Sequence, residues 1–212
     1  MGTIKKGILG GFSGKVGTVV GASWKGISYM RSLPQKVKNP RTESQVSQRT
    51  KFALALNYLR PMNGLLRTGW KLYAHRQSPI NAAMSYTLAN AISGTFPDYK
   101  IDPAKVLISR GSLTPAANAK ATAENDAVTI EWDDNSGSST AKQTDRALLA
   151  VVNPAKSEAV FDAAGAERSE GTQSVNIPAD WSGESVEVYL GFISEDGREI
   201  ANSVYLGSIA ID

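Results

Sequence analysis

The sequence has no cysteine and only one histidine among its 212 residues, and these two absences exclude several kinds of site. Without cysteine the chain has no disulfide bond, no thiolate zinc ligand and no cysteine nucleophile, which fits a reducing compartment. His75 stands beside Arg76, with no acidic residue nearby in the sequence to complete a catalytic triad or a metal cluster. We therefore interpret His75 as a surface or boundary residue.

Long apolar segments are also missing. Glycines and Lys15 interrupt the apolar run that a signal peptide would need after its first lysines. No stretch approaches the roughly 20 apolar residues of a transmembrane helix. The sequence therefore predicts a cytoplasmic protein that makes no membrane contact.

Two partial motifs fail to complete a known site. Gly14 and Lys15 suggest a phosphate-binding loop, but that loop requires glycine where Leu9 stands and serine or threonine where Val16 stands. Residues 133–135, Asp-Asp-Asn, resemble part of a calcium loop but lack its alternating acids and its distant glutamate. A turn explains them better, because Asp and Asn favour turns. We expect no enzymatic activity, no catalytic residue, no cofactor, no metal and no small-molecule substrate.

The charge is distributed unevenly along the chain, although its net value is only +3. Residues 1–100 hold 15 lysines and arginines and two acidic residues, a net charge of +13. Residues 101–212 hold 8 basic and 18 acidic residues, a net charge of −10. Such asymmetry indicates a polyanionic partner or charge pairing between chains.

Residues 2–34 are rich in glycine and serine and predict a short basic arm. Two strands, over 16–20 and 27–31, flank a turn predicted over 21–26. A lone hairpin is marginally stable in water. We therefore expect this arm to be ordered against something else.

Basic and aromatic side chains alternate along this arm and continue into the region after it. Such a surface can neutralise phosphates and stack on bases, can dock on the acidic half of a neighbouring copy, or can fold onto its own domain. Docking on another copy is the leading hypothesis, because the opposite charge lies in the same polypeptide. The predicted binding residues are Lys5, Lys6, Phe12, Lys15, Trp24, Lys25, Tyr29, Arg31, Lys36, Lys38, Arg41 and Arg49.

The clearest helix signal follows the arm. Thr42 with Gln45 three residues later forms a capping box, and apolar residues at helical spacing predict a helix over Glu43–Leu59. Pro61 should stop it.

Two more helices are predicted before residue 100. One covers 65–76. The other begins at Pro79 with Ser78 as its N-cap, and Gly94 is predicted as its C-terminal cap.

After Pro97 the sequence predicts short strands separated by turn clusters. Seven such strands are typical of a β-sandwich, with Trp132 and Tyr189 as core aromatics. The fold class is therefore α+β, with a basic N-terminal β-hairpin arm and helical region (1–100) followed by an acidic immunoglobulin/fibronectin-like antiparallel β-sandwich (101–212). The predicted strands cover 106–108, 128–132, 147–152, 159–161, 174–177, 186–193 and 204–209.

Several segments resemble an uncharacterised domain family of Bacteroidota and their phages. They are 14–17 (Gly-Lys-Val-Gly), 24–26 (Trp-Lys-Gly), 31–34 (Arg-Ser-Leu-Pro), 39–42 (Asn-Pro-Arg-Thr), 179–183 (Ala-Asp-Trp-Ser-Gly) and 188–192 (Val-Tyr-Leu-Gly-Phe). The resemblance covers nearly the whole chain and brings no catalytic residues with it. It implies a small intracellular or phage-borne protein, located in the virion in the second case.

These features together predict a non-enzymatic structural or assembly protein. It would form homo-oligomers or bind other structural chains through its basic arm. Nucleic acid bound by the basic half is the alternative partner.

Overall fold

The computed structural model describes residues 2–4, 7, 10–24, 26–34, 41–124 and 126–211. The chain divides into two compact units, residues 1–42 and residues 43–212, called here the N-terminal unit and the C-terminal unit. This boundary differs from the one predicted at residue 100. The physical reason is a core that the helices share with the β-sandwich, described below.

The N-terminal unit is an antiparallel sheet with the strand order β1-β2-β3-β4. The predicted hairpin is present but its strands are displaced. Residues 16–20 are not one strand, because a turn at Gly17, with φ at +58°, separates β2 from β3. The predicted turn over 21–26 belongs mostly to β3, which runs on to a tight turn at Gly26. The strands are β1 (Thr3–Ile4), β2 (Phe12–Val16), β3 (Val19–Trp24) and β4 (Ile27–Ser32).

The C-terminal unit begins with three helices, α1 (Glu43–Leu59), α2 (Asn63–Gly69) and α3 (Pro79–Asn90). Helix α1 has the predicted bounds. Helix α3 starts as predicted, because the Ser78 hydroxyl accepts a hydrogen bond from the Asn81 backbone N–H at 3.3 Å.

Two details of this helical region differ from the prediction. The helix predicted over 65–76 is shorter: α2 ends at Gly69, and the 3₁₀ turn Lys71–Tyr73 follows. Gly94 does not cap α3. It lies in the strand β5 (Ile92–Thr95), which pairs with β6 (Asp98–Ile101), and its φ of +88° is one that glycine adopts readily.

The rest of the chain forms a β-sandwich of two antiparallel sheets, so the predicted α+β class and β-sandwich are confirmed. One sheet has the order β11-β8-β7 and the other β10-β9-β12-β13. Six of the seven predicted strands are present. Residues 106–108 are not a strand, and β7, which is rich in alanine and so has low β-propensity, takes the seventh place. The strands are β7 (Ala117–Glu124), β8 (Ala127–Asp133), β9 (Arg146–Asn153), β10 (Glu158–Asp162), β11 (Thr172–Asn176), β12 (Ser185–Ile193) and β13 (Val204–Ala210).

The four-stranded sheet is covered on both faces. Side chains such as Leu149 of β9 and Leu190 of β12 face the sandwich interior. Leu148 and Val152 of β9 and Tyr189 of β12 belong instead to the core formed with the three helices. The C-terminal unit therefore has three layers, and the helices cannot be assigned to a separate domain.

Candidate functional site: the exposed N-terminal sheet

The pairing of strands β2, β3 and β4 brings three predicted binding residues towards one another. Residues directly opposite each other in an antiparallel pair share a face. Lys15 is opposite Val20, and Val20 is opposite Arg31. Lys15 and Arg31 therefore lie on one face of the sheet, and Tyr29, two residues before Arg31, shares that face.

The same face carries the exposed aromatic and apolar residues of the hairpin. Trp24 is opposite Ile27 at the turn, and Tyr29 is opposite Ala22. Trp24 is 64% exposed and Ile27 68% exposed, and Tyr29 is also exposed. The face therefore carries aromatic groups near the turn and cations at the far end. We call Lys15, Trp24, Ile27, Tyr29 and Arg31 the aromatic–basic face.

Phe12 does not belong to this face. It is opposite Ile4, and its ring is half-buried above Gly21, where a Cβ atom would lie 2.5 Å from the Phe12 ring. Gly21 therefore has to be a glycine for β2 to cross β3 closely. Phe12 packs within its own unit, and its role as a binding anchor stays a prediction.

The remaining predicted binding residues fall into two groups. Arg41 and Arg49 are exposed, and Arg49 lies on helix α1 of the C-terminal unit. The other five, Lys5, Lys6, Lys25, Lys36 and Lys38, lie outside the described residues.

The two units also differ in charge, and the N-terminal unit has no acidic residue at all. Residues 1–42 contain eight lysines and arginines and no acidic residue, whereas residues 43–212 contain 15 basic and 20 acidic residues. The N-terminal unit thus has a net charge of +8 and the C-terminal unit −5. A surface of this kind attracts polyanions or acidic protein surfaces.

Within the C-terminal unit, a cleft of about 490 Å³ lies between α1 and the sheet, bordered by Leu54, Tyr58 and Tyr99. The Tyr58 hydroxyl lies 2.6 Å from the Tyr189 hydroxyl, and Tyr189 also donates a hydrogen bond to the Pro103 carbonyl at 3.0 Å. Burial raises the pKa of both tyrosines far above the usual value. Both therefore stay protonated, and their hydrogen bonds join helix to sheet.

A second cluster lies around Arg110. Its guanidinium carbon is 4.6 Å from the centre of the Tyr73 ring, 5.2 Å from that of Tyr86 and 5.9 Å from that of Trp70. The Trp70 indole N–H donates to the Leu107 carbonyl at 3.1 Å. These contacts fix the segment before β7 to the helices.

Sequence reasoning missed a buried ion pair at one end of the sandwich. Arg168 Nε donates to Asp145 Oδ2 at 3.1 Å, and neither side chain is exposed. The guanidinium also lies 3.8 Å from the centre of the Phe192 ring, and the Trp132 indole N–H donates to the Arg168 carbonyl at 2.8 Å. Burial lowers the pKa of Arg168, and the charge of Asp145 acts in the opposite direction. The pair is closed to substrates, so we assign it to packing.

Among the described residues, no three histidine, aspartate or glutamate side chains come close enough to hold a metal ion. Over the same part of the chain, no helix is long and apolar enough to cross a membrane.

One similar solved structure is that of the fn3 domain of human collagen alpha-1(XX) chain, with 15% sequence identity and a TM-score of 0.33 over 49% of this chain and 93% of that chain. No curated protein matches the sequence. A family model does match residues 11–207. The chain therefore belongs to a family of unknown function, DUF6266, in agreement with the uncharacterised family that the sequence predicts.

Proposed function

We propose that this protein is a non-enzymatic structural protein that self-associates or docks on a neighbouring chain through its N-terminal unit. The observation that carries the proposal is the distribution of exposed apolar groups. Of the eleven large apolar side chains that are exposed among the described residues, seven lie in the N-terminal unit. These seven are Ile4, Val16, Trp24, Ile27, Tyr29, Met30 and Leu33.

Exposed apolar side chains crowded into a small unit are typical of a contact surface, because monomeric proteins rarely leave such groups together in water. The basic charge supports the same function. An N-terminal unit at +8 is complementary to C-terminal units at −5 in neighbouring copies, and such complementarity guides association.

The setting we propose is the virion of a phage. This part of the proposal rests on the family resemblance of the sequence. Its test is mass spectrometry of purified particles, in which the protein should be present at a fixed ratio to the major capsid protein. Absence from particles would place the assembly elsewhere in the cell.

A second candidate function is nucleic-acid binding, favoured by the aromatic–basic face. Trp24 and Tyr29 can stack on bases while Lys15 and Arg31 neutralise phosphates. In this case binding should weaken steeply as salt is added, since it depends on the release of counterions.

The two functions are separated by measuring mass in solution by sizing chromatography with light scattering, with and without single-stranded DNA or RNA. Defined oligomers without nucleic acid, lost on removal of residues 1–42, support the assembly function. A salt-sensitive shift that occurs only with nucleic acid supports the alternative. A protein that stays monomeric and binds neither DNA nor RNA would overturn both proposed functions.

Matched alanine variants make the test specific to the surface. Trp24→Ala should weaken association in either case, because Trp24 has a large exposed side chain of the N-terminal unit. Phe52→Ala is the control, because Phe52 is also half-exposed but lies on α1 of the C-terminal unit. Equal effects of the two changes would show that the N-terminal unit is not the contact surface.

A further inference from the structure

Strand β4 is an edge strand with an unusual degree of exposure. It is the last strand in the order β1-β2-β3-β4, and all six of its residues are exposed. They include Met30, which is 70% exposed, as well as Ile27 and Tyr29. An edge strand presents unpaired backbone N–H and C=O groups that can pair with another strand.

The hydrogen-bond pattern shows which residues of β4 face outward. The Leu33 N–H donates to the Thr18 carbonyl at 2.7 Å, just beyond the pair Val19 and Ser32. Hydrogen-bonded and non-hydrogen-bonded pairs alternate along an antiparallel ladder. Residues 27, 29 and 31 therefore bond to β3, and the backbone groups of Ser28, Met30 and Ser32 point away from β3, to an edge where no other described strand pairs.

Protection against pairing is weak at this edge. Natural sheets block open edges with proline, charged side chains or β-bulges. Strand β4 contains no proline, its register with β3 is continuous, and its single charged residue is Arg31. Its sequence includes Ile27, Tyr29 and Met30, residue types that suit a strand packed between neighbouring strands.

We propose that β4 pairs in the antiparallel direction with β4 of a second copy, about a two-fold axis at Met30. This inference rests on the self-association part of the proposed function, and it names the N-terminal unit of a second copy, not its acidic C-terminal unit, as the partner surface. The axis at Met30 gives the longest overlap, because Met30 is the central outward-facing residue of the strand. Ser28, Met30 and Ser32 of the two copies then form roughly six backbone hydrogen bonds, and two four-stranded sheets become one of eight strands.

The side chains fit this register. With the axis at Met30, Tyr29 lies opposite Arg31 of the second copy, and Ile27 lies opposite Leu33. An arginine beside an aromatic ring is a favourable cross-strand pair. No two like charges stand directly opposite each other, so strand β4 is complementary to itself.

The pairing has a characteristic salt dependence. It brings together two units of net charge +8, which repel each other unless salt screens them. In about 1 M salt the screening length falls to about 3 Å, so the β4 dimer should be stronger there than at low salt. Docking on an acidic surface or on nucleic acid should instead weaken as salt is added, because salt screens the attraction between opposite charges.

The register is tested by Met30→Cys in the full chain, which has no other cysteine. Symmetric pairing places the two Met30 Cα atoms about 5.5 Å apart, within the range of a disulfide. Mild oxidation should convert most of the variant to a covalent dimer. Ile4→Cys is the control, because Ile4 is also exposed but lies on β1 at the opposite edge of the sheet. Equal crosslinking at both positions, or none at Met30, would overturn the pairing.

A second pair of variants tests the backbone hydrogen bonds themselves. Met30→Pro removes an outward N–H and leaves the bonds of Tyr29 and Arg31 to β3 in place, whereas Met30→Ala keeps every backbone group. In high salt, sedimentation should show a dimer for Met30→Ala and a monomer for Met30→Pro. Association that persists in Met30→Pro but disappears without residues 1–42 would overturn the β4 pairing and leave the proposed function standing. A full chain that is monomeric at every salt concentration overturns the pairing as well.

Discussion

The two units bury their tryptophans very differently. Trp24 in the N-terminal unit is 64% exposed, whereas Trp132 in the C-terminal unit is 5% exposed and packs edge-on against Phe192 with ring centres 5.6 Å apart. The C-terminal unit has two cores, one on each face of its central sheet. In the described part of the N-terminal unit, Phe12 is half-buried, but Trp24, Tyr29 and Met30 are exposed.

This difference follows from size and composition. About forty residues rarely enclose a core without disulfides or metals, and a glycine-rich chain loses much conformational entropy when it becomes ordered. Sequence in the C-terminal unit is therefore constrained mainly by packing. Sequence in the N-terminal unit is, on the proposed function, constrained by the contacts of its outer surface.

The largest effect is expected from cutting the chain inside the C-terminal unit. A fragment of residues 101–212 would expose the face of β9 that carries Leu148 and Val152 and would leave the Tyr189 hydroxyl without Tyr58. It should lose cooperative unfolding, as followed by circular dichroism during thermal denaturation. A fragment of residues 43–212 keeps all three layers and should melt cooperatively.

These fragments decide between the two domain boundaries. A cooperative transition for residues 101–212, with a midpoint close to that of residues 43–212, would restore the boundary at residue 100 predicted from the sequence. It would also mean that the helices contribute little to the stability of the sheet.

The next largest effect is expected from matched tryptophan changes. Trp132→Ala should lower the free energy of unfolding by about 3–5 kcal/mol, because a large buried ring is replaced by a cavity. Trp24→Ala should lower it by less than about 0.5 kcal/mol, because the side chain is mostly exposed. Urea denaturation of the two variants and the unaltered chain measures both. Similar losses would show that the N-terminal unit shares in the stability of the C-terminal unit.

The sequence predicted the helix and strand positions better than it predicted how the layers pack. Ser78 with Pro79 locates the start of α3 because capping is a local property. The boundary predicted at residue 100 differs from the division after residue 42, although the sequence contains a signal for the shared core. Residues 147–152 are an uninterrupted apolar run, which is typical of a strand buried on both faces. Such a strand needs a second layer, and the helices supply it.

The candidate site was only partly predictable. Alternation along β4 places Tyr29 and Arg31 on one face without any structure. The position of Phe12 depends on β2 crossing above Gly21, which is a contact between strands that composition does not reveal. Arg168 and Asp145 form an ion pair although they are separated by 23 positions in the sequence. No local sequence pattern predicts such a pair.

A smaller effect is expected where helix and sheet meet through hydroxyl groups. Tyr189→Phe should cost about 1–3 kcal/mol, because it leaves the buried Tyr58 hydroxyl and the Pro103 carbonyl without their partner. Tyr58→Phe should cost less, since Tyr189 keeps its bond to Pro103. Chemical denaturation of the two variants and the unaltered chain measures both changes in the free energy of unfolding. A larger loss of stability for Tyr58→Phe than for Tyr189→Phe would contradict this order. It would mean that the Tyr58 hydroxyl stabilises α1 through more than its bond to Tyr189.

The smallest effects are expected at the two helix starts. Ser78→Ala should cost about 0.5–2 kcal/mol, because the Asn81 N–H loses its acceptor at the start of α3. Thr42→Ala should fall in the same range if Thr42 caps α1 as the sequence predicts. Thr42 is the last residue of the N-terminal unit, so the two variants compare a cap at the boundary with one inside the C-terminal unit. Urea denaturation of residues 42–212 with each change measures both. A loss for Ser78→Ala with none for Thr42→Ala would show that packing of α1 on the sheet, and not its cap, fixes where that helix begins.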